Sequence, residues 1–172
     1  MNNSYSNTMK TTDTCFVWNV KSVFTLIICI AIPLIVGMIS SFLTGDAMVA
    51  FNSLNKPPLA PPAWLFPVAW TVLYILMGTA SFLIFRSTDS AHSTGMLLYV
   101  IQLIFNFVWS LIFFNIGAYV LAAAWLAILL LTIIALIINT VQYSKAAMIM
   151  LIPYAAWCCF AMYLNVGIAM LN

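Results

Sequence analysis

The stretch SAHSTGMLLYVIQLIFNFVWSLIFFNIGAYVLAAAWLAILLLTIIALIINTVQYS, residues 90–144, lies between Asp89 and Lys145 and decides the fold. It runs for 55 residues with no Asp, Glu, Lys or Arg, and His92 is its one other ionisable residue of that kind. A membrane-spanning helix needs about 20 apolar residues at a rise of about 1.5 Å each, so this stretch has room for two. Two spans require a turn, and Asn115-Ile116-Gly117 supplies one, because Asn and Gly tolerate tight-turn backbone. Outside it the same count continues. No charge falls in the 24 residues between Lys21 and Asp46, or in the 29 between Lys56 and Arg86, and 27 residues follow Lys145. Each of these holds one span.

The spacing therefore predicts an all-α integral membrane protein, a bundle of five transmembrane helices near residues 21–43, 63–86, 95–114, 119–140 and 146–170. The composition agrees: 66% of the chain is hydrophobic and 5% charged, where a soluble domain carries roughly 25% charged residues. A transmembrane barrel would show short alternating segments, and these runs are long and unbroken. Residues 1–19 read as a polar, disordered tail, followed by one membrane domain over residues 20–172. The first apolar run exceeds a signal-peptide core, and no small-residue cleavage site follows it, so it reads as a retained helix. Lys10, Lys21, Arg86 and Lys145 fall on one side of the bundle and Lys56 on the other. The excess of basic residues predicts a cytoplasmic N-terminus and an external C-terminus.

The chemistry open to the chain is narrow. No acid or base lies in the middle of a span, which argues against a proton-driven pump. The chain has no Glu, and its Asp residues lie in loops or the tail, so conventional acid–base hydrolysis is not expected. A single loop His makes no metal site, and no phosphate-binding glycine motif or nucleic-acid partner is expected. Cys15, Cys29, Cys158 and Cys159 lack disulfide or metal spacing and read as buried small hydrophobes, with Cys158 and Cys159 on different helix faces.

What remains is amide and indole chemistry. Gln102, Asn106, Trp109, Ser110 and Phe113 share one face of the third span. Carboxamides cannot cheaply face lipid, so this face looks into the bundle, either to hydrogen-bond the helices together or to line a pocket. Trp70, Tyr74 and Met77-Gly78 share a face of the second span, and Trp157, Ala161, Leu164 and Asn165 a face of the fifth. Trp18 and Trp64 fit interfacial anchors, whereas Trp70, Trp109 and Trp157 lie deeper. Deep indoles beside carboxamides suggest a flat aromatic ligand. The loop Lys56-Pro57-Pro58-Leu59-Ala60-Pro61-Pro62-Ala63-Trp64 packs four prolines into six residues, which makes it stiff and non-helical; a lid over the bundle is expected. Pro33 and Pro153 fall inside spans and are expected to kink them, while Pro67 sits harmlessly in an opening turn.

These segments together resemble the translocator protein family, also called TspO/MBR, tryptophan-rich sensory protein or peripheral benzodiazepine receptor. The likeness is carried by Lys56-Pro57-Pro58 through Pro61-Pro62-Ala63-Trp64, by Trp70 with Leu73-Tyr74 and Met77-Gly78, and by Gln102-Leu103, Asn106, Trp109-Ser110 and Phe113-Phe114. Pro153-Tyr154-Ala155-Ala156-Trp157, Phe160-Ala161 and Leu164-Asn165 complete it. The resemblance implies a five-helix fold with a pocket between the helices and a membrane receptor or sensor in tetrapyrrole or stress regulation. It further implies binding of porphyrin, such as protoporphyrin IX, and of benzodiazepine-type ligands, with no covalent cofactor and a homodimeric state. Carried over by position, the pocket comprises Pro61, Trp64, Trp70, Tyr74, Gln102, Asn106, Trp109, Ser110, Trp157, Ala161 and Leu164. One alternative is light- and oxygen-dependent porphyrin degradation using Trp70 and Trp157, and another is transport of small amphipathic molecules. Animal members end their fifth helix with an aromatic and then a basic residue, a cholesterol-recognition pattern. Here residues 165–172 contain neither, so cholesterol handling is not implied.

Overall fold

The computed structural model describes residues 19–45 and 47–172. The expected polar tail, including Cys15 and Trp18, lies outside them apart from Asn19. In chain order the elements are α1 (Val20–Leu43), α2 (Ala47–Ser53), α3 (Leu65–Phe85), α4 (His92–Ser110), a π-helical segment (Leu111–Ile116) that continues α4, α5 (Tyr119–Val141) and α6 (Lys145–Leu171). Among the described residues, α1, α3, α4 with its π-helical continuation, α5 and α6 are long and apolar enough to cross a membrane. This is the five-helix membrane bundle anticipated from the charge-free runs. The short helix α2, in the loop between the first two spans, was not anticipated.

Local chemistry sets the helix ends. Asn19 caps α1, its side chain accepting from the Ser22 backbone N–H at 2.8 Å, and Ser144 caps α6 by accepting from Ala147 at 3.2 Å. Such caps satisfy backbone donors that have no intrahelical partner. The turn after the π-helical segment is made by Gly117 at φ 67°, a left-handed conformation that costs glycine nothing extra. Pro33 and Pro153 lie inside helices that run on through them.

The core is built by α3, α4, α5 and α6, with α4 contributing Tyr99, Leu103 and Trp109. Met77, Ala80 and Ile84 of α3, Leu129, Ile133 and Leu136 of α5, and Leu151, Tyr154 and Ile168 of α6 are fully buried. Helix α1 lies against α3 at one close crossing. A Cβ built on Gly78 would stand 2.5 Å from the Ile30 Cα and 2.6 Å from the Cys29 carbonyl oxygen. Only a glycine lets the two backbones approach that closely, the usual role of small residues between membrane helices. Gly78 is thus committed to packing within the bundle, as is fully buried Ala122, whereas Ala124 is exposed. Cys158 is buried and its neighbour Cys159 exposed, so they do occupy different faces. Cys159 is not the buried hydrophobe expected, because its face of α6 looks out of the bundle.

Candidate functional site

A cavity of about 320 Å³ opens between α1, α3 and α4 at the end of the bundle that carries α2. From α3 it takes Phe66, Trp70 and Tyr74; from α4 it takes Asn106, Trp109 and Ser110, with Phe114 from the π-helical segment. The opposite wall is α1, through Leu34, Gly37, Met38, Ser40, Ser41 and Thr44, and Gly45 and Ala47 close one side. Exposed members of the wall, Met38, Ser41, Pro67 and Thr71, mark its open side between the end of α1 and the start of α3.

The aromatic floor is fixed by packing and by hydrogen bonds to groups behind it. Trp70 is the centre: its ring lies 5.5 Å from Tyr74, 6.3 Å from Trp109 and 6.3 Å from Tyr154, within the range where aromatic pairs attract. Tyr74 donates its hydroxyl to Asn106 Oδ1 at 3.0 Å, and Asn106 Nδ2 donates to the Tyr154 hydroxyl at 3.3 Å. One carboxamide therefore ties α3, α4 and α6 together and also lines the cavity. Trp109 donates its indole N–H to Asn165 Oδ1 at 3.2 Å, and Asn165 Nδ2 donates to the Tyr119 carbonyl at 2.8 Å. That relay holds the Trp109 ring against both α5 and α6. Across the cavity the Ser40 and Ser110 hydroxyls hydrogen-bond to each other. The Tyr74 ring lies over the bare backbone of Gly37, where a Cβ would stand 2.2 Å from Cε2.

The π-helical segment shapes the far end. Its wider turn follows Ser110 directly, and such irregularities recur at functional sites. Asn115 Nδ2 donates to the Leu43 carbonyl at 3.0 Å, holding the end of α1 next to the segment.

Of the residues expected in the pocket, the cavity gathers Trp70, Tyr74, Asn106, Trp109 and Ser110. The others stand elsewhere. Gln102 is fully buried one turn below Asn106, and neither its amide nitrogen nor its oxygen has a hydrogen-bond partner among the described residues. Ala161 and Leu164 are buried in the bundle, and Trp157 lies behind Phe66, with the two rings 6.0 Å apart. Pro61 is half-buried, and Trp64 is 63% exposed, in keeping with an interfacial anchor.

The proline-rich loop is docked on the end of α6. Tyr163 donates its hydroxyl to the Pro58 carbonyl at 2.5 Å, and Asn172 Oδ1 accepts from the Asn55 N–H at 3.0 Å while its Nδ2 donates to the Asn55 carbonyl at 2.9 Å. The Pro57 ring sits where a Cβ on Gly167 would be, 2.6 Å from its Cγ. The cavity is instead bordered by the front of the loop, at Gly45 and Ala47.

The α1 wall was missed by sequence reasoning, although a signal was present. Gly37, Ser40, Ser41 and Thr44 recur at i, i+3, i+4 and i+7, a single small and hydroxylated face on an otherwise apolar helix. Phe66, Pro67, Thr71 and Phe114 carried no comparable pattern.

Comparison with known proteins agrees with this architecture. Residues 29–171 match the TspO/MBR family. The tryptophan-rich protein TspO of Chlorobaculum tepidum is 36% identical over 155 residues, covering 88% of this chain and 98% of its own. The tryptophan-rich sensory protein of Cereibacter sphaeroides is 33% identical over 122 residues, 71% of this chain and 76% of its own. The human translocator protein is 32% identical over 131 residues, 73% and 76% of the two chains. With five apolar spans and a match over most of its length, the chain belongs to the TspO/MBR family of membrane proteins.

Proposed function

We propose that this protein is a membrane receptor or sensor that holds a flat aromatic ligand, of porphyrin or benzodiazepine type, in the cavity between α1, α3 and α4. The observation that carries the reading is the cavity floor, where Trp70, Tyr74 and Trp109 present adjoining rings and Asn106 supplies a carboxamide beside them. Stacking orients a planar ligand, and a few placed polar groups fix its rotation. None of the described residues lining the cavity carries a charge. Recognition therefore rests on stacking and neutral hydrogen bonds, and carboxylates on a ligand stay at the open side. The name of the Cereibacter sphaeroides relative, tryptophan-rich sensory protein, accords with a sensing role. The same proposal places the Lys21, Arg86 and Lys145 end in the cytoplasm and takes the protein as a homodimer, with Gly78 outside the dimer contact because α1 already occupies it.

Titrating the purified protein with protoporphyrin IX while following tryptophan fluorescence tests the reading. Saturable quenching is expected, and it should weaken when Trp70→Phe and Trp109→Phe are combined. Quenching that does not saturate, or that is the same in the double variant, would overturn it.

A further inference from the structure

Two groups of aromatic residues border the cavity, and Phe66, which lines it, belongs to the second. The first surrounds the cavity: Trp70 with Tyr74, Trp109 and Tyr154, continuing through Phe113 and Phe114. The second is a chain from α2 across to α6, in which Phe51 meets Phe66 at 4.8 Å, Phe66 meets Trp157 at 6.0 Å, and Trp157 meets Phe160 at 5.7 Å. Phe66 alone among the cavity-lining residues takes part in these second-group ring pairs. Its ring is wall on one side and packing partner of Trp157 on the other.

Two further observations bear on what the ring does. The Trp157 indole nitrogen is buried and has no hydrogen-bond partner among the described residues, a state that costs free energy until an acceptor is supplied. The cavity, at about 320 Å³, is also at the small end of the range of about 300–1,000 Å³ usual for drug-sized ligands, while a tetrapyrrole macrocycle calls for the large end. Phe66 is the second residue of α3. Its backbone N–H donates to the Ala63 carbonyl at 3.2 Å, so the chain there is fixed by a turn and any movement of the ring is a change of side-chain rotamer. What holds the ring is tertiary: Phe51 on one edge and Trp157 on the other. Phe51 is in turn held by Lys56, whose ammonium lies 4.9 Å from its ring centroid and donates to the Phe51 and Asn52 carbonyls.

We propose that Phe66 is the specificity-determining residue of the cavity, a movable partition between the Trp70–Trp109 floor and the Trp157 indole. Small planar ligands bind in front of it. Extended ring systems carrying an acceptor at the far edge displace it and satisfy the Trp157 N–H. Because Phe51 of the loop helix α2 holds the ring in place, the seating of that loop sets how far the cavity extends. This inference rests on the reading of the cavity as an aromatic ligand site.

The test compares two probes of different breadth, acridone with three fused rings and protoporphyrin IX, on the full chain. The quantity read is the ratio of their Kd values. Phe66→Ala should shift that ratio toward protoporphyrin by about tenfold, the scale on which pocket size discriminates, and Phe66→Trp should shift it the other way. Phe66→Leu removes the flat ring while keeping an apolar wall, and should move the ratio in the alanine direction by less. Trp157→Phe should move it against protoporphyrin. Ratios within twofold of the wild type in all the Phe66 variants, with both probes bound, would overturn the partition. Failure of both probes to bind the wild type would overturn the ligand reading itself, and the partition with it.

Discussion

Helices α1 and α6 look alike as sequence: each is long, apolar and interrupted by one proline. In the bundle they differ sharply. Of the 24 residues of α1 only Pro33 and Ser40 are buried, whereas α6 buries eight of its 27, among them Leu151, Tyr154 and Ile168. A membrane helix need not hide its apolar side chains from its surroundings, because lipid tails are as apolar as leucine. Hydropathy therefore finds a span but does not say how much protein it touches. The difference has a functional side. The thinly packed helix is one wall of the cavity, and the well-packed one backs its floor through Tyr154 and Asn165.

The largest expected effect tests that contrast directly. Leu151→Ala, at a fully buried site of α6, should cost about 2–5 kcal/mol by leaving a hole in the packing. Ile35→Ala on the exposed face of α1 should cost less than about 0.5 kcal/mol. Thermal unfolding in one detergent measures both, and equal losses would break the distinction between the helices.

Next comes the crossing that fastens α1. Gly78→Ala sets a methyl group against the Ile30 and Cys29 backbone, which cannot swing aside as a side chain would. A loss of about 1–3 kcal/mol is expected, together with weaker ligand binding, because α1 is the cavity wall. A stable variant that binds normally would show that α1 is free to shift along α3.

A third pair separates the two roles left open for the α4 carboxamides. Asn106→Leu strands the buried Tyr74 and Tyr154 hydroxyls and should destabilise by about 1–3 kcal/mol. Gln102→Leu removes a buried amide that has no partner among the described residues and should be neutral or stabilising. Denaturation midpoints of the two variants that move together would contradict this assignment.

The smallest effect is at the loop. Tyr163→Phe removes the hydrogen bond to Pro58, worth about 0.5–1.5 kcal/mol at most. It should show first as faster proteolysis in the segment from residue 54 to 64, with the melting temperature little changed.

The number of spans was legible in the sequence, because charge is excluded from a bilayer core and its spacing counts the helices. The inward faces of α3 and α4 were legible for a related reason: Asn106 and Ser110 beside Trp109 on α4, and Trp70 with Tyr74 on α3, are polar and indole groupings that lipid would not readily accept. The turn at Gly117 was legible because few residues tolerate its backbone. The contribution of α1 to the cavity was harder, since serine and threonine can satisfy themselves on their own helix and give only a weak signal. Thr44, for one, donates to the Ser40 carbonyl.

Other features depended on three-dimensional packing alone. That Trp157 stands outside the cavity follows from where the Phe66 ring falls, and no periodicity within α6 encodes it. The docking of the proline-rich loop on α6 needs Tyr163, Gly167 and Asn172 to meet Pro57, Pro58 and Asn55 from more than 100 residues away in the chain. The sequence by itself determined that this chain crosses the membrane five times and turns an indole and carboxamide set inward, since both follow from the incompatibility of charge and unpaired amides with lipid. Only the tertiary structure decided which of those residues share a cavity, because helix rotation and loop docking depend on contacts between distant parts of the chain.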